Sequence, residues 1–379
     1  MFMNQTQLQT LKTPSLILDI RRVRQNAAHM LARVESLGAQ LRPHVKTHKC
    51  VEVARLQTKG HTTGGITVST LAEAHVFAAH GFTDITYGVP IEPGKFDEAI
   101  ELSRKCERLS LITDDAEIPR QLNDAARRRS VTLDVYLKVD CGYHRCGVEP
   151  HQPEAFEIPR QIADASNLNF AGILTHAGHS YHADSRKELL RIAQHERDVM
   201  VEFAENLRAA DVPVPIISIG STPTVTHIDH LDGITEVRAG NYIFFDAFQA
   251  TLGSCSFENC ALTVLASVIH RDRTRRKVVI DAGAVALSKD RGPVEFDSTC
   301  GYGRVLDLTG DDLSLRIESL SQEHGAFTVS DEVTFQHLSV GTRVRVLANH
   351  SCLTTAQHAH FHVLDGAALV DQWEIRHGW

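Results

Sequence analysis

The sequence contains no run of about 18 apolar residues, so nothing in it reads as a transmembrane helix. Its opening stretch, Met1-Phe2-Met3-Asn4-Gln5-Thr6-Gln7, lacks the basic region and apolar core of a secretory signal. Positive charge is in deficit. A net charge of -8 leaves no basic excess to neutralise phosphates and argues against a general nucleic-acid binder, although a local cationic pocket remains open. The eight cysteines follow no regular spacing, and Cys141 and Cys146 make no CxxC pair. They read as reduced thiols of a cytoplasmic protein, not as a four-cysteine zinc site. Internal repeats and low-complexity linkers are also missing. No glycine-rich fingerprint follows the first strand, where Asp19-Ile20-Arg21 stands, and this disfavours an open dinucleotide-type sheet.

What is there fits an enzyme of about two domains, at roughly 150 residues each. Apolar residues make up 42% and charged residues 23%, enough for an ordinary soluble core. Ser15-Leu16-Ile17-Leu18-Asp19 reads as a strand, and Val23, Ala27, Met30, Leu31 and Val34 mark the apolar side of the helix after it. Short β-rich runs and helical stretches then alternate as far as Thr235-Glu236-Val237-Arg238. Seven or eight such units in about 230 residues predict a (β/α)8 barrel over residues 15–250. Beyond about residue 255 the helices give way to β-rich runs, among them Leu262 to Ile269 and Arg343 to Leu347, separated by glycine and aspartate turns. Residues 251–379, with 1–14, are therefore assigned to an all-β second domain.

In a barrel the catalytic groups gather where strands end. Lys46 in Arg42-Pro43-His44-Val45-Lys46-Thr47-His48-Lys49 sits where a strand hands over to a helix, among cations able to lower a lysine pKa. By itself the segment reads more readily as a basic turn. The strand ends would also gather Ser69, Tyr87, Asp140, Arg145, His176, Ser221 and Arg238. Gly220-Ser221-Thr222-Pro223-Thr224 and Arg238-Ala239-Gly240-Asn241 offer backbone donors for an anion, or are plain glycine turns. Arg145 lies just beyond a strand between two glycines. His350-Ser351-Cys352 follows the strand Arg343 to Leu347; in extended geometry the first and third residues face one side, where an imidazole and a thiolate could hold one zinc ion.

Taken in order, Thr13-Pro14, His44-Val45-Lys46-Thr47, Asp140 to Val148, Thr175-His176-Ala177-Gly178, Gly220 to Thr224, Arg238 to Asn241 and His350-Ser351-Cys352 resemble the eukaryotic-type D-serine dehydratase and D-threonine aldolase family. The likeness runs from about Thr13 to Trp379. It implies an alanine-racemase-like fold, α/β, with an N-terminal (β/α)8 barrel and a C-terminal β domain bearing the metal site, usually as a homodimer. It implies pyridoxal 5'-phosphate and Zn2+ as cofactors. Lys46 would carry the cofactor as a Schiff base, Arg145 would face its ring nitrogen, and His176 and Tyr181 would line its pocket. Ser221, Thr222, Gly240 and Asn241 would bind its phosphate, and His350 and Cys352 would bind zinc.

The activity implied is α,β-elimination from a D-3-hydroxy amino acid, D-serine or threo-3-hydroxy-D-aspartate, giving a 2-oxo acid and ammonia. The alternative is an aldolase that yields glycine and an aldehyde. Cys352 favours the dehydratase, since a thiolate suits zinc whereas the aldolase branch places an aspartate there. A β-carboxylate would need a further cation, with Arg291, Arg304 and His324 as candidates. A non-catalytic cofactor carrier would have no need of His350 and Cys352. A racemase would want a second base, for which Tyr302 is the position to watch.

Overall fold

The structure, a computed structural model, describes residues 5–61 and 65–379; Met1–Asn4, part of the stretch that lacks the features of a secretory signal, lie outside the described residues. The chain divides into two units. One is Ala28–Gly240 with Arg376–Trp379, and the other joins the chain up to Ala27 to Asn241–Ile375.

The first strand, β1 (Ser15–Asp19), corrects the expected domain boundary. It forms as expected but lies outside the barrel, in the sheet of the second unit. There it pairs antiparallel with β10 (Leu262–Asp272) and parallel with β17 (His360–Asp365). Leu16, Ile17 and Leu18 are fully buried. A strand covered on both faces reads as a continuous apolar run in a parallel or a mixed sheet alike, so its composition does not say which sheet receives it. The boundary on the C-terminal side falls at Gly240/Asn241, ten residues before the expected one.

The barrel holds the eight strands that remain: β2 (Gln40–Leu41), β3 (Ile66–Val68), β4 (Asp84–Pro90), β5 (Arg108–Thr113), β6 (Leu133–Lys138), β7 (Leu168–Leu174), β8 (Ile216–Ile219) and β9 (Glu236–Val237). All are parallel, in the order β2-β9-β8-β7-β6-β5-β4-β3. The two ends of that order meet through a parallel bridge between His44 and Thr67, where the Thr67 N–H donates to the Pro43 carbonyl at 2.9 Å. The helices are amphipathic. Ile118–Arg128 buries Ile118, Leu122, Ala125 and Ala126, one side of a 3.6-residue repeat. Thr70 and Ser185 cap the helices that follow them by accepting from the N–H groups of Glu73 and Glu188. Inside the barrel, Arg42 donates to both Asp84 oxygens at 2.8 and 2.9 Å and to Glu236 at 2.6 Å.

The second unit is built on a ten-stranded sheet. Its central path is β13 (Asp312–Arg316), β12 (Arg304–Leu306), β16 (Arg343–Leu347), β10, β1, β17 and β18 (Ala368–Glu374). Off this path, β11 (Lys277–Ile280) joins β10 to β15 (Gly325–Thr328), and β14 (Ser319–Leu320) pairs with β15. Among the described residues five short helices, Gln5–Thr10, Ala247–Leu252, Ala284–Leu287, Glu332–His337 and Ser351–Thr355, interrupt this unit, which was expected to be purely β.

Candidate active site

Lys46 lies in a single 3-10 turn, Val45–Thr47, directly after β2. Its side chain is exposed while Val45 and Thr47 are buried. The turn is fixed at both ends: the Lys46 N–H donates weakly to Nδ1 of His44 at 3.5 Å, and the His48 N–H donates to the Val45 carbonyl at 3.1 Å. Lys49 follows with a left-handed φ of +50° and forms an ion pair with buried Glu73. Glu73 also accepts the Ser69 N–H at 2.8 Å, so one carboxylate ties the turn after β2 to the end of β3.

His176 stands at the end of β7. Its Nδ1 donates to the Gly220 carbonyl at 3.3 Å, which leaves Nε2 as an acceptor. Burial first, and then the cations Lys46, Lys138 and Arg145, hold its pKa well below the ordinary histidine range. His44 is held down in the same way, by burial and then by Lys46 and Arg238. Both rings are neutral at pH 7. Lys138, at the end of β6, is buried, and desolvation followed by Arg238 pushes it down to about 8. Arg238 is itself buried and hydrogen-bonded to the Ser218 hydroxyl and the Thr175 carbonyl. The strand ends therefore concentrate positive charge, a setting for an anionic ligand.

The glycine turns provide close approach. Gly220 has φ +115°, and a Cβ there would also press on Val237 at 3.1 Å. A Cβ on Gly240 would meet the His44 carbonyl oxygen at 2.5 Å. Ser221 and Thr222 are buried, but the Ser221 hydroxyl serves its own capping box with Thr224. It also meets the Ser180 hydroxyl at 3.0 Å, which ties the Gly220 turn to the 3-10 turn Gly178–His182 that carries Tyr181. The Ser221 hydroxyl and N–H both take part in that capping box, and the Gly220 N–H donates to Glu196 at 3.2 Å.

Arg145 occupies the loop expected for it, with its guanidinium 5.1 Å from the Tyr143 ring centroid, and its side chain is exposed. Asp140 builds this loop by accepting the N–H groups of Gly142, Tyr143 and His144. Burial opposes its charge, yet these bonds outweigh burial and keep its pKa below the usual carboxylate value.

The second group of expected residues belongs to the other unit. His350 precedes the helix Ser351–Thr355 and Cys352 lies within it, so the pair is not presented by an extended strand as its spacing suggested. The pair stands instead at the start of a helix. His350 Nδ1 lies 2.6 Å from Asp290 Oδ2. Burial works against protonating the ring, but Asp290 and Cys352 prevail and raise its pKa well above the ordinary value. With Nδ1 committed to a carboxylate, Nε2 is the ring nitrogen left to face a ligand. Among the described residues, no group of three or more His, Cys, Asp or Glu side chains converges as a ready metal cage. Asn241, expected at the phosphate, turns its amide to Asp246 at 2.7 Å, Ser351 Oγ at 3.1 Å and Cys352 Sγ at 3.7 Å. Arg304 pairs with Asp312 and lies over Phe257, so it is spent structurally.

Three acids escaped the sequence reading. Glu196 is completely buried in the helix Arg186–Ala209 and accepts the N–H groups of Ala177 at 2.9 Å and Gly220 at 3.2 Å. An acid on the stripe Leu189, Ile192, Ala193, Met200 and Phe203 is the signal that marks it. Asp290 and Asp246 sit in loop and cap positions that carry no periodic signal.

Two family descriptions match the chain: the alanine racemase N-terminal domain over residues 18–247 and the putative serine dehydratase domain over 261–364. D-threo-3-hydroxyaspartate dehydratase of Delftia sp. (strain HT23) is 39% identical over 99% of this chain and 100% of its own length. The chain belongs to the D-serine dehydratase and D-threonine aldolase family. It is an enzyme of the lyase class. D-serine dehydratase of Dictyostelium discoideum is 32% identical over 96% of this chain and 95% of its own. Among solved structures, a cysteine-to-alanine variant of D-threo-3-hydroxyaspartate dehydratase in the metal-free form superposes with TM-score 0.94 at 40% identity, covering 98% of this chain and 99% of that one. D-threonine aldolase from Filomicrobium marinum gives 0.85 at 26% identity, covering 97% and 96%. Among the described residues, no helix is long and apolar enough to cross a membrane.

Proposed function

We propose that this chain is a pyridoxal-phosphate- and zinc-dependent dehydratase that converts a D-3-hydroxy amino acid, threo-3-hydroxy-D-aspartate or D-serine, into a 2-oxo acid and ammonia. The observation that carries the proposal is the setting of Lys46: an exposed amine on a braced turn at a cation-rich strand end, with two neutral imidazoles beside it. The relatives of highest identity given above are dehydratases, and Cys352 supplies a soft donor suited to zinc.

Both groups fit the residues present. The close approach of Gly240 to His44 and the positive φ of Gly220 leave a backbone cradle for a phosphate. A half-buried imidazole anchored on Asp290 beside a thiol suits a divalent metal. Pyridoxal phosphate supplies an electron sink at the substrate Cα, and Zn2+ supplies a Lewis acid for the departing β-hydroxyl. Lys46 Nζ would hold the cofactor covalently and would serve as the base for the α-proton. Arg145 is assigned to the ring nitrogen, His176 and Tyr181 to the pocket wall, and Ser221, Thr222, Gly240 and Asn241 to the phosphate. His350 Nε2 and Cys352 Sγ hold the metal. The working assembly proposed is a cytoplasmic homodimer.

The test is covalent mapping. Borohydride reduction of the pyridoxal-phosphate-loaded protein, followed by digestion and mass spectrometry, should place the pyridoxyl group on Lys46. A label on Lys138, the other lysine at a strand end, would refute the assignment.

A further inference from the structure

Asp246 is 1% exposed and begins the six-residue helix Ala247–Leu252. One of its oxygens, Oδ1, performs the cap by accepting the Gln249 N–H at 2.9 Å. That bond is all a cap requires. Its other oxygen gathers three more donors: Asn241 Nδ2 at 2.7 Å, the Ser351 N–H at 2.9 Å and the Ser351 hydroxyl at 3.1 Å. Burying a carboxylate this thoroughly is costly unless hydrogen bonds compensate it, and these four donors do so. The three on the second oxygen all lead to the segment His350-Ser351-Cys352.

The orientation of the Asn241 amide is decided by the same carboxylate. Turned over, the amide would set its own oxygen against Asp246, so Nδ2 must face Asp246 and, with it, Cys352 Sγ at 3.7 Å. Among the described residues the amide oxygen has no hydrogen-bond partner, so the bonds of this side chain are all made by its nitrogen. The amide has two N–H groups for three acceptors, so it ties the carboxylate to Ser351 Oγ at 3.1 Å and reaches the sulfur as its longest contact. Ser351, between the two donor residues, is held by both its N–H and its hydroxyl.

We propose that Asp246 is a positioning residue for the metal pair, fixing Cys352 Sγ through the Asn241 amide and Ser351. It acts on the sulfur as Asp290 acts on the imidazole. The inference rests on the reading of His350 and Cys352 as metal donors.

The experiment titrates the full chain with Co2+, following the thiolate-to-Co2+ charge-transfer band and measuring affinity by competition with a chromophoric chelator. Wild type should show the band and Cys352→Ala should lose it. Asp246→Asn should bind Co2+ about 10–100-fold more weakly, with a displaced or diminished band, as is typical when a supporting carboxylate is removed. Asp331→Ala, which uncaps another short helix by removing the acceptor of the Thr334 N–H, should leave both readings unchanged. If Asp246→Asn does not fold, Asn241→Ala keeps the cap and should displace the band by itself. Wild-type affinity and band in Asp246→Asn, or in Asn241→Ala when that variant stands in, overturn the inference. A wild-type band that survives in Cys352→Ala overturns the reading of the metal pair instead.

Discussion

Glu196 offers the sharpest test of how the barrel holds its strand-end loops. Its Oε1 accepts the N–H groups of Ala177, beside His176, and Gly220, at the first glycine turn. Glu196→Ala leaves both buried donors without a partner. At about 1–3 kcal/mol for each, the loss is about 2–6 kcal/mol. Glu196→Gln keeps a carbonyl oxygen that can accept both bonds, and burial already pushes the Glu196 carboxyl upward toward its uncharged form. Its cost should therefore stay near ~1 kcal/mol, the scale of a neutral hydrogen bond. Denaturant unfolding of the cofactor-free variants measures these differences, and absorbance titration with pyridoxal phosphate measures the consequence for binding. The alanine variant should bind at least about tenfold more weakly, since about 1.4 kcal/mol of loop ordering suffices for that factor. Equal stability of the two variants, with wild-type cofactor affinity in both, would refute the role given to Glu196.

Other consequences follow from the barrel interior. Arg42→Met strands Glu236 and Asp84 without their buried cation and should cost about 3–5 kcal/mol in unfolding free energy. Gly240→Ala forces a methyl group against the His44 carbonyl and should weaken cofactor binding with little change in far-ultraviolet circular dichroism. Lys138 is held at about 8 in the folded chain against an ordinary 10.5. Between those values the unfolded chain holds a proton that the folded chain has released, so stability rises with pH across the window, by up to ~3 kcal/mol. Lys138→Met should abolish that rise in cofactor-free protein, and an identical pH slope in both proteins would contradict it.

The sequence made most of the fold legible, because barrel strands and helices advertise themselves by period and length. β1 was found but placed in the wrong sheet, since Leu16, Ile17 and Leu18 would suit the middle of either. The helix Glu154–Asp164 went unread, with Pro159 inside it masking its pattern. Lys46, His176 and the glycine turns were visible because strand ends can be located before any contact is known. Their supports were not. Glu196, Asp290 and Asp246 each make a bond that spans 19, 60 and 105 residues of sequence respectively, which no local pattern encodes. The pair His350 and Cys352 was identified for a strand geometry that the structure replaces with a helix start. Side-chain commitments such as Arg304 to Asp312 likewise emerge only from the packed chain.

The central claim is the reaction itself, and product analysis tests it most directly. Purified protein loaded with pyridoxal phosphate and Zn2+ would be offered threo-3-hydroxy-D-aspartate, D-serine and D-threonine separately. The account predicts ammonia with oxaloacetate or pyruvate from the first two substrates, lost on chelation of the metal and in Cys352→Ala. Glycine with an aldehyde as the main products would contradict it and make the chain an aldolase.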